Sequence, residues 1–278
     1  MTVGGGAMTM RKVLLERDDS IAVLTFNRPE KHNTFNKKFW NDLNICLDDL
    51  EHKLPRVVIV TGAGNRAFSA GFDINPDNPL VSSLVDAVML GVRKPVEELI
   101  RFIRTSVDRL VTLPAPVIAA VNGLAYGGGA ELAVRCDLRV ADPGAVFSFS
   151  EMKLGLMPDH GGTVGLQRLV GTSRAVELIL SGKKVSAAEA YKIGLVNQVS
   201  EPGRCLDSAL DLAKSIAANG PRAVRASLAV LRRAGDLQAA DALELESRHA
   251  VDLILSRECV EGIAAFMSGK QPEFKGPP

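Results

Sequence analysis

An α/β core followed by a helical C-terminal portion is the fold class that this 278-residue chain predicts. Three observations carry the prediction. Up to about residue 170, short apolar β-rich runs alternate with stretches whose apolar positions recur at helical spacing. From Ser173 onward the helical pattern continues almost alone. Glycine clusters close several of the β-rich runs, as strand-to-helix turns require.

Taken in order, Val13 to Glu16 and Ile21 to Phe26 are β-rich runs flanking Arg17-Asp18-Asp19-Ser20, which predicts a hairpin. Asn27 to Asn33 is a polar loop. Between Asn36 and Leu54 the positions Phe39, Leu43, Cys46, Leu47, Leu50 and Leu54 predict a helix. Val57 to Val60 reads as a buried strand ended by Thr61-Gly62-Ala63-Gly64-Asn65. The stretch Arg66 to Ile74 is small and glycine-containing in its middle, with Asp73 available as a helix cap. Asn75 to Pro79 is a loop, and Val96 to Leu113 is helical in pattern. This insert between two glycine-bearing strand ends is placed to line or cover a pocket.

Pro114 to Asp142 is the organising stretch. Val117 to Val121 predicts a buried strand, Asn122-Gly123 a turn, and a helix starts inside Gly127-Gly128-Gly129. Each glycine within a helix costs roughly 1 kcal/mol against alanine, so something there requires bare backbone. Two readings stand side by side: unpaired N–H groups aimed at a ligand oxygen, or close helix-strand packing. Glu131 lies three residues after Gly128 on the same helical face and leans toward the N-terminus, which places a carboxylate beside that amide. Asp137 to Ala141 and Val146 to Phe149 follow as short strands. The segment from Ser150 to Thr163 carries Glu151 and Asp159 amid apolar and glycine residues, with Asp159 also suited to cap a helix before Gly161-Gly162. Helical patterns then cover Ala175–Leu180, Ala187–Ile193, Leu206–Ala218, Pro221–Arg233 and Leu237–Met267, with one short strand near Leu195 to Val199.

A formal net charge of +1 from well-mixed charges gives no support for a nucleic-acid or membrane-surface partner. No apolar run approaches the roughly 18 residues of a membrane span, so a soluble chain is expected. Cys46, Cys136, Cys205 and Cys259 lie far apart with no C-x-x-C pair. They read as reduced, mostly buried residues of a cytoplasmic protein. His32, His52, His160 and His249 are scattered too, and no metal site is expected. Residues 1–10 lack the pattern of a signal peptide and read as a disordered lead-in, with Met8 or Met10 serving equally as a start.

Five blocks in order resemble the crotonase, or enoyl-CoA hydratase/isomerase, superfamily. They are NRPEKHNTFN from Asn27, RAFSAGFDI from Arg66, PVIAAVNGLAYGGGAELA from Pro116, SEMKLGLMPDHGGT from Ser150 and EGIAAFMSGKQPEFKG from Glu261. The resemblance implies a crotonase-like spiral of ββα units over residues 11–200 and a helical region over 201–278 used in trimerisation, as a homotrimer or a dimer of trimers. It implies an acyl-CoA thioester substrate and no cofactor beyond the coenzyme A of that substrate. Carried over by position, the oxyanion hole is the backbone N–H of Phe72 with that of Gly128. Coenzyme A lies along the Asn27 to Asn33 loop and the Ser69 to Ile74 segment. Lys31 serves a phosphate, Ala70 and Ile74 serve adenine, Asp73 falls in the same segment, and Lys270, one residue out of register, reaches from a neighbouring subunit.

In hydratases of the family two glutamates flank the double bond, and Glu131 and Glu151 stand at both positions. The expected activity is therefore enoyl-CoA hydration, with Glu151 the partner of the α-carbon. Asp159 stands where dienoyl-CoA isomerases of the family have a third carboxylate, so Δ3,5-Δ2,4-dienoyl-CoA or other enoyl-CoA isomerisation is the alternative. A non-catalytic acyl-CoA-binding member is a second alternative.

Overall fold

The computed structural model describes residues 11–18 and 20–274. The expected disordered lead-in, residues 1–10, lies outside them. Among the described residues no helix is long and apolar enough to cross a membrane.

The chain opens with β1 (Val13–Asp18) and β2 (Ile21–Phe26), the expected hairpin, and α1 (Lys37–His52), whose cap Asn36 accepts from the Phe39 N–H. Next come β3 (Val57–Gly62), β4 (Ala67–Ser69), α2 (Pro79–Met89) and α3 (Arg93–Val111). β5 (Val117–Val121) and β6 (Leu124–Tyr126) lead into α4 (Gly128–Arg135), and β7 (Leu138–Ala141) and β8 (Val146–Ser148) into a 3-10 turn at Glu151–Leu154 and α5 (Gly162–Val170). The remainder is α6 (Thr172–Ser181), β9 (Val185–Ser186), α7 (Ala187–Lys192), β10 (Gln198–Val199), α8 (Cys205–Ala217), α9 (Pro221–Ala234), α10 (Ala239–Leu255) and α11 (Glu258–Met267).

The strands sort into two sheets, ordered β1-β2-β3-β5-β7-β10 and β4-β6-β8-β9. Each successive pair, β3 with β4, β5 with β6, β7 with β8, gives one strand to each sheet before the chain turns into helix, which is a ββα spiral. β3 and β5 are buried along their whole length, as parallel strands covered on both faces must be. Their alternate side chains divide between two cores. Val57, Ile59, Ile118 and Ala120 meet Ala209 and Ala213 of α8, whereas Val58, Val60, Val117 and Val121 face the main core with Phe26, Phe39 and Trp40.

Several expectations are corrected. α2 and α5 are helices at positions for which the local sequence pattern predicts none. Asn78 caps α2 with Pro79 at its first turn, so the polar loop ends as a helix start. Asp73 caps no helix; it pairs with Arg28. Asp159 does not cap α5, whose cap is Gly161. The single pattern Leu237–Met267 is broken into α10 and α11 at Arg257, which adopts a left-handed φ of 66°. The break directs Glu258 at the start of α9, where its Oε1 accepts the N–H groups of Arg222 (2.9 Å) and Ala223 (3.1 Å).

Arg139, on β7, is buried and anchors the far end of α4. Its guanidinium donates to the carbonyls of Ala133 (3.3 Å) and Cys136 (2.6 Å), groups that the end of α4 otherwise leaves open, and to that of Leu195 (2.7 Å) in the loop after α7.

Candidate active site

β4, β6 and β8 are parallel neighbours, so the chain leaves all three at the same end of the second sheet, that of their carboxyl termini. Phe72 follows β4, Gly128 follows β6 and Glu151 follows β8. The outer ends of parallel strands are where an open α/β sheet offers a crevice. A cavity of about 220 Å³ occupies it, lined by Ala70, Phe72, Ile74, Gly128, Glu131, Glu151, Asp159 and His160. Seven positions named from sequence thus meet in one place, with His160 as an eighth that the scattered histidines gave no reason to single out. Leu84 of α2 and Val96, Leu99, Ile100 and Ile103 of α3 supply the apolar wall, as expected of the insert.

The backbone at the two expected amides is crowded. Gly71 has φ +82°, and a Cβ there would lie 2.7 Å from the Gly128 nitrogen and 2.8 Å from the Tyr126 carbonyl oxygen. Only a glycine lets the two turns approach so closely. Gly71 O and Asp73 N–H both bond to Phe35, and neither the Phe72 nor the Gly128 N–H donates a hydrogen bond among the described residues.

Both readings of the glycine triplet hold, at different residues. Gly127 takes φ +50°, a backbone need. Gly129 packs: an added Cβ would sit 2.2 Å from the Ser69 carbonyl oxygen. Gly128 faces the cavity, where a Cβ would meet the His160 ring at 2.6 Å.

Glu131 is buried, 1% exposed, and its Oε2 accepts from the main-chain N–H of His160 (2.8 Å) and of Gly162 (2.9 Å). Burial first, then the charge of Glu151, pushes its carboxyl well above the usual range despite those donors. Burial also raises Glu151, whose two oxygens receive no N–H or O–H donor from neighbouring groups other than Glu131. The two carboxyls therefore retain a proton between them that separate, solvated glutamates would have lost.

Asp159 is exposed at the cavity rim with its Oδ1 3.3 Å from His160 Nε2. The other ring nitrogen, Nδ1, is 3.8 Å from Glu131 Oε1, buried and without a hydrogen-bond partner. Burial holds this imidazole below its usual pKa, although the Asp159 charge acts the other way. Glu131, Asp159 and His160 bring ligand atoms within 4.8 Å of one another. They fit a cation poorly, because Glu131 Oε2 is already committed to two amides and burial favours the uncharged acid.

Three expected coenzyme A positions lie apart from this cavity. Asp73 turns inward, its Oδ2 2.8 Å from Arg28 Nη1, while Arg28 also donates to Thr34. Lys31 is exposed at the end of the 3-10 turn Pro29–Lys31, and the His32 carbonyl next to it accepts the Ala70 N–H at 2.9 Å. Lys270 lines a separate polar cavity with Arg222, Glu258 and Phe274.

The family model described as Enoyl-CoA hydratase/isomerase matches residues 16–277. The chain belongs to this family, within the crotonase superfamily. It is 34% identical over 267 residues to the short-chain-enoyl-CoA hydratase of Clostridium acetobutylicum, covering 96% of this chain and 98% of that one. It is 36% identical over 268 residues to the 1,2-epoxyphenylacetyl-CoA isomerase of Escherichia coli, covering 96% and 99%. The crystal structure of enoyl-CoA hydratase from Bacillus anthracis superposes with a TM-score of 0.86 at 32% identity, over 95% of this chain and 99% of that chain. Family members of both names are thus similar to it, and the choice between reactions falls to the site.

Proposed function

We propose that the protein adds water across the α,β double bond of an enoyl-CoA thioester. The observation that carries this reading is the buried Glu131–Glu151 pair beside two unspent amides in an apolar cavity. The thioester oxygen lies between the N–H groups of Phe72 and Gly128, which stabilise the enolate more than the ground state. The two coupled carboxyls share one proton, and hydration proceeds from the state in which it has passed from Glu131 to Glu151. Glu151 gives it to the α-carbon while Glu131 takes one from the water that adds to the β-carbon, so one water is consumed and the carboxyl pair keeps its proton count. The burial that keeps one carboxyl protonated equips the pair for both roles.

Coenzyme A runs along the Asn27 to Asn33 loop, with Lys31 at a phosphate and Ala70 and Ile74 at adenine. Asp73 contributes by bracing the segment rather than by contact, and Lys270 acts from a neighbouring subunit. The exposed apolar side chains of α10 and α11, among them Leu255, Ile263 and Phe266, support assembly as a homotrimer or a dimer of trimers through the helical region. We place the protein in the cytoplasm, acting without a cofactor of its own.

Asp159 at the cavity rim favours a second reading, isomerisation of a dienoyl-CoA by three carboxylates. Incubation with crotonyl-CoA and with a 3,5-dienoyl-CoA under ultraviolet absorbance decides: loss of the enoyl band supports hydration, and growth of a conjugated dienoyl band supports isomerisation. Binding with neither change supports an acyl-CoA-binding role and overturns both.

A further inference from the structure

The hydration proposed above gives His160, which lines the cavity beside Glu131, no task. Its Nδ1 is buried with no hydrogen-bond partner, which native structures rarely tolerate without a reason. Nε2, 3.3 Å from the Asp159 carboxylate, is the nitrogen at which the proton of a neutral imidazole is favoured, leaving a lone pair on Nδ1. Burial keeps the ring neutral. Edge-to-face packing on Trp40, with centroids 5.9 Å apart, and contact with Gly128 hold that lone pair beside the reacting carboxyl.

The distance from Nδ1 to Glu131 Oε1 is 3.8 Å, too long for a hydrogen bond and of the length that a single bridging oxygen spans. Hydrogen bonds of about 2.8 Å to both acceptors subtend roughly a right angle at that oxygen. Glu131 Oε2 is occupied by two amides, so once the proton of the pair is on Glu151, Oε1 is the oxygen left to receive a proton from water.

We propose that His160 positions the attacking water, its Nδ1 accepting the O–H that is not broken while Glu131 Oε1 takes the other. With both water protons committed, a lone pair of the oxygen is left for the β-carbon. As the C–O bond forms, one O–H bond breaks toward Glu131 and the second survives as the hydroxyl of the 3-hydroxyacyl product, still donating to Nδ1. Asp159 then fixes the tautomer of His160 and does not touch the acyl chain. This rests on the hydratase reading and assigns a water-specific task that proton transfer at the α-carbon does not share.

The test separates the two half-tasks. Wild type, His160→Gln and Asp159→Asn are assayed for hydration of crotonyl-CoA and for exchange of the α-proton of saturated butyryl-CoA with deuterium oxide, which needs the amides and Glu151 but no attacking water. The expected result is a fall in hydration kcat on the order of 10²-fold for His160→Gln, and a smaller fall for Asp159→Asn, with α-exchange within about twofold of wild type in both. Equal losses of hydration and exchange would show that His160 only shapes the site, and unchanged hydration would show that it has no part; either overturns the proposal. Failure of the wild type to hydrate crotonyl-CoA is a separate outcome that removes the hydratase reading and this proposal with it.

Discussion

Arg28 Nη1 and Asp73 Oδ2 lie 2.8 Å apart in a buried ion pair one residue after Phe72, so the amide expected to hold the thioester oxygen is braced by a contact that takes no part in lining the cavity. Burial acts to raise the Asp73 carboxyl, but the hydrogen bond and charge of Arg28, together with the Asn75 N–H, overcome it and hold the carboxyl below its ordinary 3.8. The contribution is therefore present above that value and is lost as pH falls through the lower, folded-state pKa. Arg28→Met leaves the carboxylate buried alone and is expected to destabilise by about 3 kcal/mol near neutral pH, with Arg28→Met/Asp73→Asn recovering part of the loss. Urea denaturation of the three proteins checks this, and a double variant no better than the single one would count against it.

Glu131 titrates in the opposite sense. Its carboxyl ordinarily ionises near 4.5 and is pushed up to about 9 in the folded chain. The unfolded chain loses this proton first, so stability is full below the lower value and declines as pH rises toward the upper one. Glu131→Gln keeps an oxygen for the His160 and Gly162 amides and removes that decline. The melting temperature of the variant minus that of wild type should thus grow between about pH 5 and pH 9, reaching at least about 2 °C. Hydration should fall with it, and thermal scans across pH with matched assays read both.

The glycine triplet gives a contrast within one helix turn. Gly129→Ala places a methyl 2.2 Å from the Ser69 backbone and is expected to destabilise by about 2 kcal/mol or more, as overpacking does. Gly128→Ala meets the His160 ring, which can give way, so its effect falls on turnover before stability. Gly128→Pro removes the N–H itself, and a folded protein should lose about 10²-fold to 10³-fold in kcat. Denaturation midpoints and kcat for the three variants separate these roles.

Glu258→Ala removes the acceptor at the start of α9 and should cost about 1 kcal/mol, the scale of a lost helix cap. Arg257→Gly, at a left-handed position, should be tolerated far better than Arg257→Pro. Melting temperatures of the three variants measure the difference.

The chain alone determined the α/β core, because its strands are apolar on both faces and its early helices on one, and burial enforces those periods directly. Val117–Val121, α1 and the start of α4 within the glycine triplet follow from local pattern alone. The five ordered blocks were equally legible, and they name the family and bring Phe72, Gly128, Glu131, Glu151 and Asp159 to attention. Tertiary structure decided the rest because it depends on groups distant in sequence. Asp73 reads as a cap or a ligand contact until Arg28, 45 positions earlier, turns it inward. The break at Arg257 coincides with the contact of Glu258 with the start of α9, 35 and 36 positions earlier. Nothing around His160 in the sequence distinguishes it from the other histidines; its place against Glu131 exists only once the turn before α5 folds over α4 and its amides take hold of the Glu131 carboxylate.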